Sequence, residues 1–138
     1  MKYEVGMKAK FAKTIVESDV YLFAGITGDL NGIHVNAVEA EKSIFGRRVA
    51  HGILVAGLIS NVIGMQLPGP GTVYLEQNIK FLKPVYIGDT VTACVEIEEI
   101  VNGSKGIFRL RTNVKNQIDE MVIEGFAIVM KYEEIANS

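Results

Sequence analysis

Asp29 and His34 stand five residues apart in the run Phe23-Ala-Gly-Ile-Thr-Gly-Asp29-Leu-Asn31-Gly32-Ile-His34. A carboxylate and an imidazole have ordinary pKa values of about 3.9 and about 6.5, so one is an acceptor and the other exchanges a proton near neutrality. Converged on one small volume, the two can hold a water molecule and deprotonate it. An enzyme that adds or removes water needs that chemistry. At about 100° per residue, positions i and i+5 of a continuous helix point to different faces. The intervening Asn31-Gly32 tolerates left-handed backbone angles, so the spacing predicts a bend that lets both side chains meet. Taken singly, an Asx-turn aspartate and a surface histidine would account for the same residues.

The chain has only two histidines, His34 and His51. His51 opens the run His51-Gly-Ile-Leu-Val-Ala-Gly-Leu-Ile-Ser-Asn-Val-Ile-Gly-Met65. Gly52 then offers an unencumbered N–H at a helix start, where the helix dipole favours negative charge. That suits the oxyanion of a polarised thioester carbonyl. A simple helix start is the plain alternative.

These residues must be carried by a frame. Lys8–Ile15 alternates as a strand, Ser18 can cap a helix running towards Thr27, and Asn36-Ala-Val-Glu39 reads as a capping-box variant opening a short helix to about Ser43. The His51–Met65 segment is apolar nearly all round, interrupted only by Ser60 and Asn61, and is expected to be wrapped on most sides. Gly52, Gly57 and Gly64 each disfavour a helix by about 1 kcal/mol, which close backbone approach by a sheet or ligand would explain. Pro68-Gly-Pro-Gly71 stops the helix. Strands are then expected over Thr72–Phe81, Thr90–Ile100, Ile107–Lys115 and Met121–Lys131, with short turns that favour antiparallel meanders. The expected architecture is α+β: one long buried helix and a curved antiparallel sheet of five or six strands, in a single domain over residues 1–138. A lone sheet leaves an unpaired edge, so a homodimer or larger assembly is expected.

Composition narrows the partners. A formal charge of −2, with no Lys/Arg stripe, argues against nucleic acid. No apolar run approaches a membrane span and the start lacks a signal-peptide pattern, so a cytoplasmic protein is expected. Cys94 is alone, excluding an internal disulfide or a cysteine metal site; we expect no metal and a buried, inert thiol.

The run Phe23…Thr27-Gly28-Asp29-Leu30-Asn31-Gly32-Ile33-His34 with Ala40, the segment Val49-Ala50-His51-Gly52, and Phe81-Leu-Lys-Pro84-Val85-Tyr-Ile-Gly88-Asp89 together resemble the MaoC-like (R)-specific enoyl-CoA hydratases. The resemblance spans roughly Phe11 to Met130. It implies the hot-dog fold, a long central helix wrapped by a curved antiparallel sheet, and a dimer with active sites near the subunit interface. It also implies Asp29 and His34 as catalytic pair, Asn31 orienting loop or water, Gly52 donating its N–H to the thioester oxygen, and support from Ser60 and His51. Gly32 departs from the family, which usually has proline there, and leaves the bend less stiff. The implied reaction is reversible syn addition of water to a trans-2-enoyl-CoA of short to medium chain, with no cofactor beyond the coenzyme A of the substrate. Tyr74, Phe81, Val55 and Leu58 are candidates for the acyl wall, and Arg47, Arg48 and Lys83 for the rim, though core for the first set and solvated surface for the second are the commoner roles.

Alternative readings stay open. A hot-dog acyl-CoA thioesterase would need a carboxylate placed at the carbonyl carbon. An acyl-carrier-protein dehydratase usually pairs His with Glu on different segments. A non-catalytic acyl-CoA-binding protein would have no reason to keep both Asp29 and His34.

Overall fold

In the computed structural model, which describes residues 2–132, the chain runs β1 (Lys8–Thr14), α1 (Glu17–Thr27), α2 (Gly32–Val35), α3 (Ala37–Lys42), α4 (Gly52–Met65), β2 (Thr72–Phe81), β3 (Thr90–Asn102), β4 (Ile107–Lys115) and β5 (Met121–Lys131). The strands make one antiparallel sheet in the order β1-β3-β4-β5-β2. Period-2 alternation sets its two faces. Val91, Ala93, Val95 and Ile97 of β3 and Phe108, Leu110 and Val114 of β4 point inward, with polar or half-covered residues between them.

Helix α4 lies on that inner face and buries Val55, Ala56, Ile59, Val62 and Ile63. Full burial of each branched side chain contributes about 1.5–3 kcal/mol, which together outweighs the cost of the helix glycines. The wrapping differs from the expectation: α4 is covered along one face only. Ile53, Gly57, Ser60 and Met65 stay exposed, because sheet and helix form two layers and none of the described residues covers the other side. Only one of the three glycines is explained by close approach. A Cβ at Gly52 would strike the Phe81 ring, whereas Gly57 and Gly64 face open space.

Local capping also shifts one expectation. Ser18 lies inside α1; the cap is Val16, whose N–H donates to Asp19 Oδ2 at 2.9 Å. An aspartate at the third helical position reaches back to the chain entry, whereas Ser18 is already the second helical residue and is not the cap. Asn36 caps α3 as expected, accepting from the N–H groups of Val38 and Glu39. Cys94 is half-buried on the outer face of the sheet, since its position in β3 alternates with the inward Ala93 and Val95. No helix among the described residues is long and apolar enough to cross a membrane.

Candidate active site

The bend between Asp29 and His34 is built by small polar groups. Gly28 ends α1 in the left-handed region (φ 79°) and donates its N–H to Ala24 O. Asp29 Oδ1 accepts from Asn31 N–H at 3.2 Å, an Asx turn, and Asn31 Oδ1 accepts from Ile33 N–H at 3.3 Å. Asn31 thereby caps α2, a single helical turn, so the segment is a bend followed by one turn of helix. The carboxylate of Glu39 occupies the space that a side chain at Gly32 would need. An acid from α3 thus fills the place where the sequence resemblance implies a proline ring.

His34 is buried at the end of that turn. Its Nδ1 lies 2.6 Å from the carbonyl oxygen of Val49. A carbonyl can only accept, so Nδ1 carries the proton and Nε2 keeps its lone pair when the ring is neutral. Val49 is itself held, its N–H donating to Ile33 O, while Ala50 N–H donates to Val85 O at 2.7 Å. The segment before α4 is thus strapped between α2 and the β2–β3 connection.

His51, 2% exposed, stacks on His34 with centroids 3.8 Å apart and an interplanar angle of 26°. Phe23 packs against the same ring at 4.7 Å. His51 Nε2 donates to the main-chain oxygen of Asp29 at 2.9 Å. Its Nδ1 is buried with no hydrogen-bond partner among the described residues, an arrangement that costs about 1–3 kcal/mol.

Asp29, His34 and His51 each bring one side-chain donor or acceptor atom to within 4.8 Å of the others. Two hydrogen bonds of about 2.8 Å meeting at a tetrahedral oxygen span about 4.6 Å, a span that fits inside the 4.8 Å limit on the approach of the Asp29 carboxylate to an imidazole nitrogen. On distance alone the trio meets the requirement for a metal site. Of its nitrogens, His34 Nδ1 and His51 Nε2 are engaged by main-chain carbonyls, which leaves one further nitrogen on each ring.

A cavity of about 450 Å³ opens against this group. His34 and Gly52 line it together with Val55, Phe81, Val85 and Ile123. The N–H groups of Gly52, Ile53 and Leu54 begin α4 without intrahelical partners, and the dipole of the helix adds to their pull on negative charge. Of the expected acyl-wall residues, Val55 and Phe81 line the cavity, and Tyr74 and Leu58 do not. Ser60 sits on the exposed face of α4. It lies nine residues beyond His51, a rise of about 13 Å, so within this chain it does not join the site. At the rim Lys83 lines the cavity and pairs with Glu120. Arg48 is held by Glu17 and Tyr21, and Arg47 lies 4.0 Å over the Tyr86 ring.

With that geometry in view, comparison with known proteins is decisive. A family model for the MaoC like domain matches residues 2–120. The chain belongs to the MaoC-like family. Among relatives of this MaoC-like chain, an (R)-specific enoyl-CoA hydratase of Rhodospirillum rubrum is 50% identical over 126 residues, which cover 91% of the chain and 85% of that protein. A 3-hydroxybutyryl-CoA dehydratase of Methylorubrum extorquens is 45% identical over 91% of the chain and 79% of that protein. The unliganded R-hydratase of Pseudomonas aeruginosa superposes with a TM-score of 0.90 at 42% identity, covering 96% of the chain and 84% of that structure. The α+β architecture is the hot-dog fold of these hydratases.

The hydrogen bonds that lock the pair were not visible in the MaoC-like motif. The Val49 carbonyl and the Phe23 ring are ordinary apolar positions, and only tertiary contact brings them to His34 and His51.

Proposed function

We propose that this chain is an (R)-specific enoyl-CoA hydratase and, in reverse, a 3-hydroxyacyl-CoA dehydratase: a hydro-lyase for trans-2-enoyl thioesters of short to medium chain. One observation carries the reading. The Asp29 carboxylate and the His34 imidazole approach within 4.8 Å, a separation one water can bridge, beside an apolar cavity lined by the start of α4.

The carbonyl of a 2-enoyl thioester draws electrons from its β-carbon, and water is too weak a nucleophile to exploit that unaided. Held by Asp29 and the Nε2 lone pair of His34, water donates both hydrogens and turns an oxygen lone pair towards the β-carbon. As the C–O bond forms, one O–H bond breaks and its proton passes to the pair. The C=C electrons move onto the thioester oxygen, which Gly52 N–H stabilises. The pair then delivers a proton to the α-carbon from the same face, giving syn addition. Asn31 keeps the loop in register through its cap on α2. No electron is gained or lost, so the chemistry calls for no cofactor beyond the coenzyme A of the substrate.

The assembly we propose is a homodimer joined along β2. Both edge strands are candidates, but β1 carries Lys8, Lys10 and Lys13, the charge pattern that discourages pairing. On β2, Val73, Tyr74, Leu75 and Phe81 are exposed. A partner there would also approach the uncovered face of α4. The proposal places the enzyme in the cytoplasm with its thioester substrate.

The test is loss of the conjugated enoyl-thioester absorbance with crotonyl-CoA and longer homologues, followed by chiral analysis of the product. The expected product is the (R)-3-hydroxyacyl-CoA. Release of free coenzyme A without hydration would identify a thioesterase and overturn the reading.

A further inference from the structure

We infer that His51 is the positioning residue of this site, one ring that fastens the Asp29 main chain and stacks on His34 so that the gap between the pair fits a single water. The inference rests on the hydration reading above and assigns His51 no contact with substrate.

His51 touches both members of the pair by different forces. Its Nε2–H reaches the carbonyl oxygen of Asp29 at 2.9 Å, across 22 residues of sequence. Its face lies 3.8 Å from the His34 ring. His34 is already fixed in rotation by the Val49 carbonyl, so the stack fixes where that ring sits. Asp29 is exposed and belongs to a loop whose other restraints are local to residues 27–31. The His51 bond is therefore its tether to the rigid start of α4. Neither the cavity lining nor the rim includes His51.

The unpartnered Nδ1 argues in the same direction. A phenylalanine at 51 would fill the space between Phe23 and His34 without burying a lone pair that nothing satisfies. The Asp29 oxygen it would release lies on an exposed loop within reach of water. Packing alone thus favours an apolar ring, and the nitrogen is retained for what Nε2 does. Reactions that depend on such supporting hydrogen bonds lose about 10–100-fold when the support is removed.

The experiment compares His51→Phe, which keeps a ring and loses the donor, with His51→Gln, which keeps a side-chain N–H and loses the ring. Turnover of crotonyl-CoA and thermal unfolding are measured for both. In His51→Phe, kcat should fall at least about 10-fold with KM within about twofold and the unfolding temperature unchanged or higher. His51→Gln should recover most of that kcat. A His51→Phe enzyme with kcat within about twofold of the parent overturns the inference. So does a parallel loss of kcat and unfolding temperature in both variants, which would mark His51 as packing alone.

Nitrogen-15 spectra of the unmodified protein separate this from failure of the hydration reading. With only two histidines in the chain, the tautomers are assigned from one long-range correlation spectrum. His51 should carry its proton on Nε2 and His34 on Nδ1. If the unmodified protein fails to hydrate crotonyl-CoA, the proposed reaction falls and the tautomer alone decides the tether. A His51 proton on Nδ1 sinks the tether regardless of activity.

Discussion

The α-carbon of Gly52 lies beneath the ring of Phe81, so close that a methyl group there would stand 2.7 Å from Cε1 of the ring. Position 52 is thus restricted by an aromatic side chain from the end of β2, not by its own backbone angles. Both residues line the cavity, and the Gly52 N–H is the donor proposed for the thioester oxygen.

Gly52→Ala should therefore displace the Phe81 ring and the first turn of α4 relative to each other. Loss of one oxyanion donor costs about 10²–10³ in kcat, so a fall of at least about tenfold is expected from partial misalignment. Adding Phe81→Ala removes the obstruction and should restore part of the rate. Steady-state kinetics on the two single variants and the double variant would reveal it. Additive losses would show that the ring is not what confines position 52.

Asp29→Asn and His34→Ala probe the pair itself. An asparagine oxygen can still accept from Asn31 N–H, so the Asx turn survives while the charge is lost. His34→Ala leaves the Val49 carbonyl without its donor and should lower the unfolding temperature slightly. Each variant should lose at least about 100-fold in turnover. Near-normal activity in a folded Asp29→Asn protein would leave the water without its acceptor and end the mechanism.

The bend was readable from Asn31-Gly32, but its cause was not: Asn31 (φ −53°) and Gly32 avoid the left-handed region, and the chain turns instead at left-handed Gly28 (φ 79°) and through the acceptor side chains of Asp29 and Asn31. What holds Asp29 and His34 was not readable either. The Val49 carbonyl lies fifteen residues from His34, and a main-chain acceptor has no side-chain signature. The cap of α1 was misplaced for a similar reason, since Ser18 and Asp19 are both capping types and only the chain path into Val16 chooses between them. Helix α4 shows the limit of periodicity. An all-round apolar pattern states that every face is to be covered but not by what, and Ile53, Gly57 and Met65 are left uncovered by the described residues.

Stability in acid follows from the outer face of the sheet. Glu98 accepts from Arg111 Nη2 and Arg109 Nε, each at 3.1 Å, and these bonds hold its carboxyl below the ordinary value of 4.5. The folded state then binds fewer protons than the unfolded state at acid pH. The stabilisation is present above about 4.5 and is lost as pH falls through the lower folded value. Glu120, held down by Lys83 and Asn116, acts with the same sign. Denaturant melts between pH 6 and 3 should show stability falling with acid, and Glu98→Gln should flatten the slope while staying close to the parent at pH 3. Parallel curves for parent and variant would contradict the ion-pair assignment.

The two sheet edges differ in a way that predicts how copies associate. On β1 the exposed side chains include Lys8 and Lys10, so bringing two such edges together would align like charges. On β2 the side chains of Val73 and Leu75 are exposed and apolar, and Leu75 sits at an irregularity in the pairing with β5. Buried against a second copy, each would contribute about 1–2 kcal/mol of apolar transfer. A lysine at either site would replace that gain with a desolvated charge. Sedimentation at micromolar concentration should give a dimer for the parent, a monomer for Val73→Lys combined with Leu75→Lys, and an unchanged dimer for Ala12→Lys on β1. Dissociation by the β1 change and not by the β2 pair would assign the interface to the opposite edge. The apolar face of α4 would then need a different cover, because β1 and β2 lie at opposite ends of the sheet order.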